Sequence, residues 1–202
     1  MAIQTFVAGS VLTAAQLNTL QQQAVMTFTN EAARSAALPS PNEGMVAYLT
    51  TPTVPAAVGA TSTSLPTGIL TIYNGSVWVC TSSIGATSGG ASQNFTTAQA
   101  DITIGGSLTS VTLVTGTTAL VSFGGRIFGD GNFAQINVKV GAAISGDFAA
   151  FNTVNGSYIT VGRTYVMTGL TAGTNTFTMV CQSNTNGTAS VDDVTLTVQG
   201  IA

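Results

Sequence analysis

Histidine is absent from this chain, lysine occurs once, at Lys139, and charged side chains make up 5% of its 202 residues. Globular domains usually carry about 25% charged residues. The exterior therefore has to be built from Thr, Ser, Asn, Gln and Gly, or be covered by other copies of the chain. Without histidine, the usual proton carrier near neutral pH is missing, which removes most general acid–base chemistry. The four cations, Arg34, Arg126, Lys139 and Arg163, are too few and too dispersed to track a phosphate backbone, so no nucleic acid is expected as a partner.

Cysteine is nearly as scarce. Cys80 and Cys181 lie far apart in sequence, each in an apolar, strand-like run, with no CxxC spacing. Without histidine they cannot complete an ordinary zinc site, and buried thiols are the expectation. No metal and no cofactor is expected. Long apolar runs are also missing: turn residues cut every one far below the ~18 residues of a membrane span. Met1-Ala-Ile-Gln-Thr-Phe6 has no basic stretch, apolar run or small-residue cleavage site, so it does not read as a secretory signal. Synthesis and assembly in a cytoplasm, with no membrane insertion, is the expectation.

What is present is a mainly β pattern. Residues 1–44 form a helical segment for attachment or assembly, 45–81 a small β unit, 82–100 a Gly/Ser/Thr/Ala linker, and 101–202 an antiparallel, jelly-roll-like β-sandwich. In the first segment Thr13-Ala-Ala-Gln16 matches a capping box, and Leu12 with Leu17 fits a hydrophobic staple, so a helix is expected to start at Ala14. Leu17, Leu20 and Ala24 continue its stripe, with Phe28 one turn further. Phe6, Leu12, Leu17, Leu20 and Phe28 are the candidate assembly residues, and the helix packs either on its own domain or against other copies. A second helical turn is expected after Asn30, ending before Pro39 and Pro41.

Asn74-Gly75, between Leu70-Thr-Ile-Tyr73 and Ser76-Val-Trp-Val79, predicts a hairpin with a two-residue turn. Residues 50–68 read as an extended loop. In the last segment strands are expected at 108–114, 119–127, 133–140, 158–168, 174–181 and 189–199. Period-two alternation is clearest where Phe133, Gln135 and Asn137 oppose Ala134, Ile136 and Val138. The very few lysines leave the sheet edges poorly guarded, which burial against neighbouring subunits would remedy.

Few constellations suggest chemistry. Asp192-Asp193 is the only adjacent pair of carboxylates, and neighbours along a strand point to opposite faces, so the two should diverge. Pairing of one of them with Arg126 or Arg163 inside an interface is expected instead. Phe128-Gly-Asp130-Gly-Asn132 reads as a turn rather than a calcium loop. No catalytic residue is expected. Phe148, Phe151, Tyr158 and Tyr165 fall near loops and strand ends, where aromatic faces can stack on a sugar; core packing is the alternative.

Three stretches carry a resemblance. They are Phe6-x-x-Gly9-x-x-Leu12-Thr13-Ala14-Ala15-x-Leu17-Asn18, Ala32-Ala33-Arg34-x-Ala36-x-x-Pro39-x-Pro41-x-Glu43-Gly44-Met45, and Ile72-Tyr73-Asn74-Gly75-x-x-Trp78. Together they resemble the start of small structural proteins of tailed bacteriophages. Val161 to Val198, with Tyr165-Val-Met-Thr-Gly-Leu170 and Gly187-Thr-Ala-Ser190, is similar to the β-sandwich domains that end tail-fibre, minor tail and head-fibre proteins. The resemblance covers both ends and most of the chain. It implies a virion protein, commonly a homotrimer, whose N-terminal part attaches to other virion proteins while the β domain faces outward, where host surface glycan is a candidate partner. It transfers no catalytic residue. A capsid decoration or head fibre, and a soluble carbohydrate-binding module, remain as alternatives.

Overall fold

The computed structural model describes residues 9, 11, 13–95, 98–129, 133–144, 149–152, 157–183 and 189–202. The N-terminal part holds α1 (Ala14–Gln23), β1 (Met26–Phe28) and α2 (Glu31–Ala37). Next come β2 (Val46–Leu49), β3 (Ala56–Val58), β4 (Ser62–Ser64), β5 (Ile69–Tyr73), β6 (Trp78–Cys80), β7 (Ile84–Ser88), β8 (Gln93–Phe95) and β9 (Ala100–Asp101). A 3-10 turn at Ile104–Gly106 leads to β10 (Ser110–Thr115), β11 (Thr118–Gly129), β12 (Phe133–Val140), β13 (Ala143–Ile144), β14 (Ala149–Asn152), β15 (Ser157–Thr168), β16 (Gly173–Ser183) and β17 (Ala189–Ile201).

Both helices start where side chains cap them. The Gln16 amide donates to Thr13 Oγ1 at 3.2 Å while the Thr13 amide donates to Gln16 Oε1 at 2.9 Å, a reciprocal capping box. The Ala33 amide donates to Asn30 Oδ1 at 2.9 Å, and α2 stops at Ala37, two residues short of Pro39. Between the helices the chain departs from expectation. Phe28, expected to extend the stripe of α1, lies instead in β1, which pairs in parallel with β2 through Phe28↔Leu49. Met26, Thr27 and Phe28 suit a pleated, half-buried surface at the edge of a sheet better than a further helical turn.

A four-stranded sheet runs β1-β2-β5-β6. The expected hairpin is there, but its turn is longer than two residues: Tyr73 pairs with Trp78, leaving residues 74–77 as the loop. The Asn74 side chain closes that loop by accepting from the amides of Ser76 and Val77, and Gly75 takes φ +88°.

Two larger sheets pack face to face as a jelly-roll-like sandwich. One has seven strands, β13-β12-β16-β10-β3, with β14 beside β12 and β9 beside β16; the other has six, β15-β11-β17-β7-β4, with β8 beside β17. Consecutive long strands alternate between them, β10, β12 and β16 in the first and β11, β15 and β17 in the second. Alternation puts Val111, Leu113, Ile136, Val138, Phe177 and Met179 inward from the first sheet, against Val121, Phe123, Ile127, Val194, Leu196 and Val198 of the second. Leu49, Ile69 and Cys80 of the small sheet join that same core, so its hydrophobic packing continues into the sandwich. Met45, Ala47 and Trp78 form a separate cluster toward the other end of the same face of the small sheet, with Phe28 packed against both.

The stretch 82–100, expected as a linker, instead contributes β7 and β8 to the sandwich. Ile84, Ala86 and Phe95 are buried, and β7 lies between β17 and β4. A Cβ on Gly85 would stand at ordinary contact distance, 3.5 Å, from Ser64 Cβ and Thr197 Oγ1, on the strands either side of it. Likewise the expected loop at 50–68 contains β3 and β4, one strand for each sheet.

Candidate functional site

The expected site residues do not gather in one place. Phe6, Leu12 and Phe148 lie outside the described residues. Phe151 falls in β14, where its backbone pairs with Ala134. On α1, Leu17 is half exposed and Leu20 partly buried, while Phe28 packs between both hydrophobic clusters. Tyr158 and Tyr165 share β15 but face opposite sides. Tyr165 packs on the core, edge-on to Phe123 with ring centroids 6.0 Å apart. Tyr158 points outward and keeps 53% of its surface exposed.

Around Tyr158 the six-stranded sheet brings together three charged residues, Arg126, Asp192 and Asp193. Cross-strand pairing sets Tyr158 opposite Phe128, with ring centroids 4.9 Å apart, and diagonal to Arg126, whose guanidinium lies 4.7 Å from the tyrosine ring centre. Arg126 Nε and Nη2 donate to Asp192 Oδ1 and Oδ2 at 2.7 and 2.8 Å, a two-pronged pair. The hydrogen bond to Asp192 is the main reason the guanidinium is held even more firmly protonated than usual.

Asp193 reaches the same guanidinium, with Oδ2 3.2 Å from Nη2. The expectation that the two carboxylates diverge therefore fails. Pairing between β11 and β17 shifts register between Gly124 and Arg126, so β17 carries an extra residue there. That bulge places Asp193 at φ 48°, the only positive φ outside glycine among the described residues, and turns its carboxylate back to the Arg126 side. Gly125 sits opposite, where a Cβ would stand 2.8 Å from Val194 Cγ1. Asp192 does pair with Arg126 as expected, within a single chain.

A second charged cluster is internal. Arg34 is buried, donates from Nη1 to Thr71 Oγ1 at 3.1 Å and lies 4.6 Å from the centre of the Trp78 ring. Burial pushes its pKa down, countered by Glu31. Glu31 in turn accepts from the amides of Thr53 and Val54. Burial alone would raise the Glu31 pKa, but these hydrogen bonds outweigh it and hold the carboxyl below its ordinary value. The cavity beside Arg34 is about 10 Å³, room for no more than a water. This cluster ties α2 to the small sheet. A larger groove, about 680 Å³, runs beside β1 between Val25, Met26, Phe28, Leu38, Pro39 and Met45.

Cys80 and Cys181 are buried free thiols, both with pKa values raised by burial, Cys181 to about 12. Among the described residues no group of three or more His, Cys, Asp or Glu could hold a metal ion. No helix among them is long and apolar enough to cross a membrane.

No family model matches the chain, and no curated protein does. Among solved structures it is similar to the Eiger TNF of S. frugiperda, at 11% identity over 46% of this chain, with a TM-score of 0.35. The match spans 65% of that TNF chain, under two thirds of its length. It is also similar to the CBM36-1 domain of a multidomain xylanase from the hindgut metagenome of Trinervitermes trinervoides, at 14% identity over 55% of this chain and 99% of that one, with a TM-score of 0.30. A third likeness is to the CBM22-1–GH10 modules of Clostridium thermocellum xylanase 10B, at 13% identity over 55% of this chain and 26% of that one, TM-score 0.30. Likenesses this distant assign neither ligand nor activity.

Proposed function

We propose that the chain is a structural protein of a tailed bacteriophage particle, an oligomeric surface appendage that works by binding rather than catalysis. Its N-terminal part attaches to other virion proteins, and the sandwich faces outward. The observation that carries the assembly part is β15. It is twelve residues long, ends its sheet, and is hydrogen-bonded to β11 alone among the described residues. Its burial pattern is exposed or intermediate everywhere except Met167. Sheet edges of monomers are usually guarded by lysine, proline or a bulge. Ser157–Thr168 has no lysine and no proline, carries Arg163 as its single charge over twelve residues, and pairs with β11 without a register shift. Val166 is 50% exposed beside Leu120, which leaves apolar surface next to that open edge.

The groove beside β1 lies next to α1 and supports attachment through the N-terminal part. The sequence resemblance to phage appendage proteins supports the virion setting. Native mass spectrometry of the purified chain is expected to give a homotrimer; a monomer at tens of micromolar would sink the assembly part. Antibody labelling of intact particles is expected to decorate the tail. Label confined to heads would favour a capsid decoration instead, and absence from particles would end the virion reading.

A further inference from the structure

We infer that the outward face of the six-stranded sheet at Tyr158 binds a neutral oligosaccharide, with Tyr158, Arg126 and Asp193 as its contacts. The inference deepens the reading of an outward-facing sandwich but does not depend on which particle, if any, carries it. Several observations converge. The Tyr158 and Phe128 rings present apolar surface in an otherwise hydroxyl-rich face, and Tyr158 is largely open to solvent. The tyrosine is already held, with Arg126 against its ring and Arg126 fixed by Asp192, so little side-chain freedom is left to lose on binding.

The remaining valences suit a hydroxyl. Among the described residues, Arg126 spends Nε and Nη2 on carboxylates and leaves the two N–H groups of Nη1 uncommitted. Asp193 has one oxygen on Arg126 and a half-exposed side chain, so its other oxygen can accept. A sugar hydroxyl both donates and accepts, and it can satisfy the two together. The sign of the charge then narrows the ligand. One guanidinium against two carboxylates leaves one net negative charge, which disfavours uronates, sulfated sugars and phosphate. The central guanidinium equally disfavours a metal ion.

Beyond Arg126 the face continues as a floor without bulky groups. Moving along β15 and its neighbours, Thr160 is followed by the glycine pair Gly162 and Gly124 with Thr195, then by Thr164, Ser122 and Thr197. Tyr158 to Thr164 spans about 20 Å at strand rise, room for a short oligosaccharide rather than a single sugar. The strained Asp193 belongs to this site: kept at φ 48° on an otherwise regular strand, it brings Oδ2 to 3.2 Å from Nη2 of the same Arg126 that lies against the Tyr158 ring.

The full chain titrated with cellohexaose, maltohexaose, chitohexaose and xylohexaose, followed by calorimetry and amide NMR shifts, tests this. At least one of these should bind, with Tyr158→Ala and Asp193→Asn each weakening it about fivefold or more. Asparagine tolerates the left-handed backbone, so the second variant keeps the bulge. Thr112→Ala, on the outer face of the opposite sheet, should bind as the wild type does. Binding of none of the four, binding only of an anionic hexagalacturonate, a requirement for added calcium, or wild-type affinity in both variants would overturn the site. Failure to find the chain in particles would leave these titrations unaffected, so the two readings fail separately.

Discussion

Replacing Gly200 with alanine tests how the small sheet is seated on the sandwich. Gly200 is buried in β17 opposite Ala119, with an ordinary strand backbone, so alanine costs nothing in φ. The obstacle is space. A Cβ there would stand 2.5 Å from the Cys80 carbonyl oxygen, 2.7 Å from Val79 Cγ1 and 3.2 Å from the Val114 carbonyl oxygen. Two of these three atoms are backbone, one in β6 and one in β10, and neither can swing away as a side-chain tip would. Gly116 repeats the arrangement at the same joint, where a Cβ would meet Asn74 Nδ2 at 2.9 Å.

Overpacking of this kind costs about 1–3 kcal/mol, and backbone obstacles put Gly200→Ala near the upper end. Reduced freedom of the unfolded chain returns about 0.4–1 kcal/mol. The net is a destabilisation of about 2 kcal/mol, which for a chain of this length lowers Tm by about 4–8 °C. Trp78 makes the assay local. It is the only tryptophan and lies in β6, two residues from the obstructed Cys80 carbonyl. In the wild type, Trp78 fluorescence and far-ultraviolet circular dichroism should melt together, because Leu49, Ile69 and Cys80 share the sandwich core. In Gly200→Ala both should fall. An unchanged Tm would refute the close seating, and a Trp78 transition well below the dichroism transition in the wild type would refute a shared core.

Glu31→Gln should destabilise at neutral pH, and the gap should close with acid. The folded-state pKa of Glu31 is depressed, so its contribution is complete above the ordinary value of 4.5 and fades as pH falls below it, readable as converging urea midpoints. Neither thiol should react with Ellman's reagent in the native protein at pH 8, and both should react in guanidinium. The raised pKa of Cys181 also predicts stability that is full below about 9 and declines as pH climbs toward about 12, checked by chemical denaturation of wild type against Cys181→Ala. Asp193→Gly should keep wild-type stability within about 1 kcal/mol, because backbone strain of about 1–2 kcal/mol is released as the ion pair is lost. Asp193→Val should lower stability clearly, and equal Tm values for the two variants would refute strain at the bulge.

Much of the sandwich was legible because its long strands obey simple rules. The expected 133–140 coincides with β12, and the other five expected strands each overlap an observed one, from β10 to β17. Residues buried on one face recur at period two there, and Gly, Asn or Asp punctuates the ends. The small-residue strands were illegible for the opposite reason. Ile84-Gly-Ala-Thr-Ser88 has a linker's composition, and only its pairing with β17 on one side and β4 on the other makes it a strand. Three-residue strands such as β3 and β4 carry too little pattern to be read without their partners.

The charged site was misread through a rule applied too evenly. Period two along β17 sends Asp192 and Asp193 to opposite faces only if the period holds through them. It does not hold, and the sequence says so. Val194, Leu196 and Val198 are buried at even positions, while Ala189 and Val191 are buried at odd ones. The alternation slips by one residue between Val191 and Val194, which is the signature of an inserted residue in a strand whose other face is solvated. Both acids fall in that slip, and the matching strand offers Gly124-Gly125 just before Arg126. A phase break that coincides with the only acidic pair, facing glycines and an arginine, marks a place where backbone regularity was given up to bring charges together. The Asp192 pair is buried on the carboxylate side and two-pronged, whereas Asp193 is half exposed, so its ion pair contributes only about 0–1 kcal/mol against the strain of its backbone, and the proposed recognition at Tyr158 gives that strain a use.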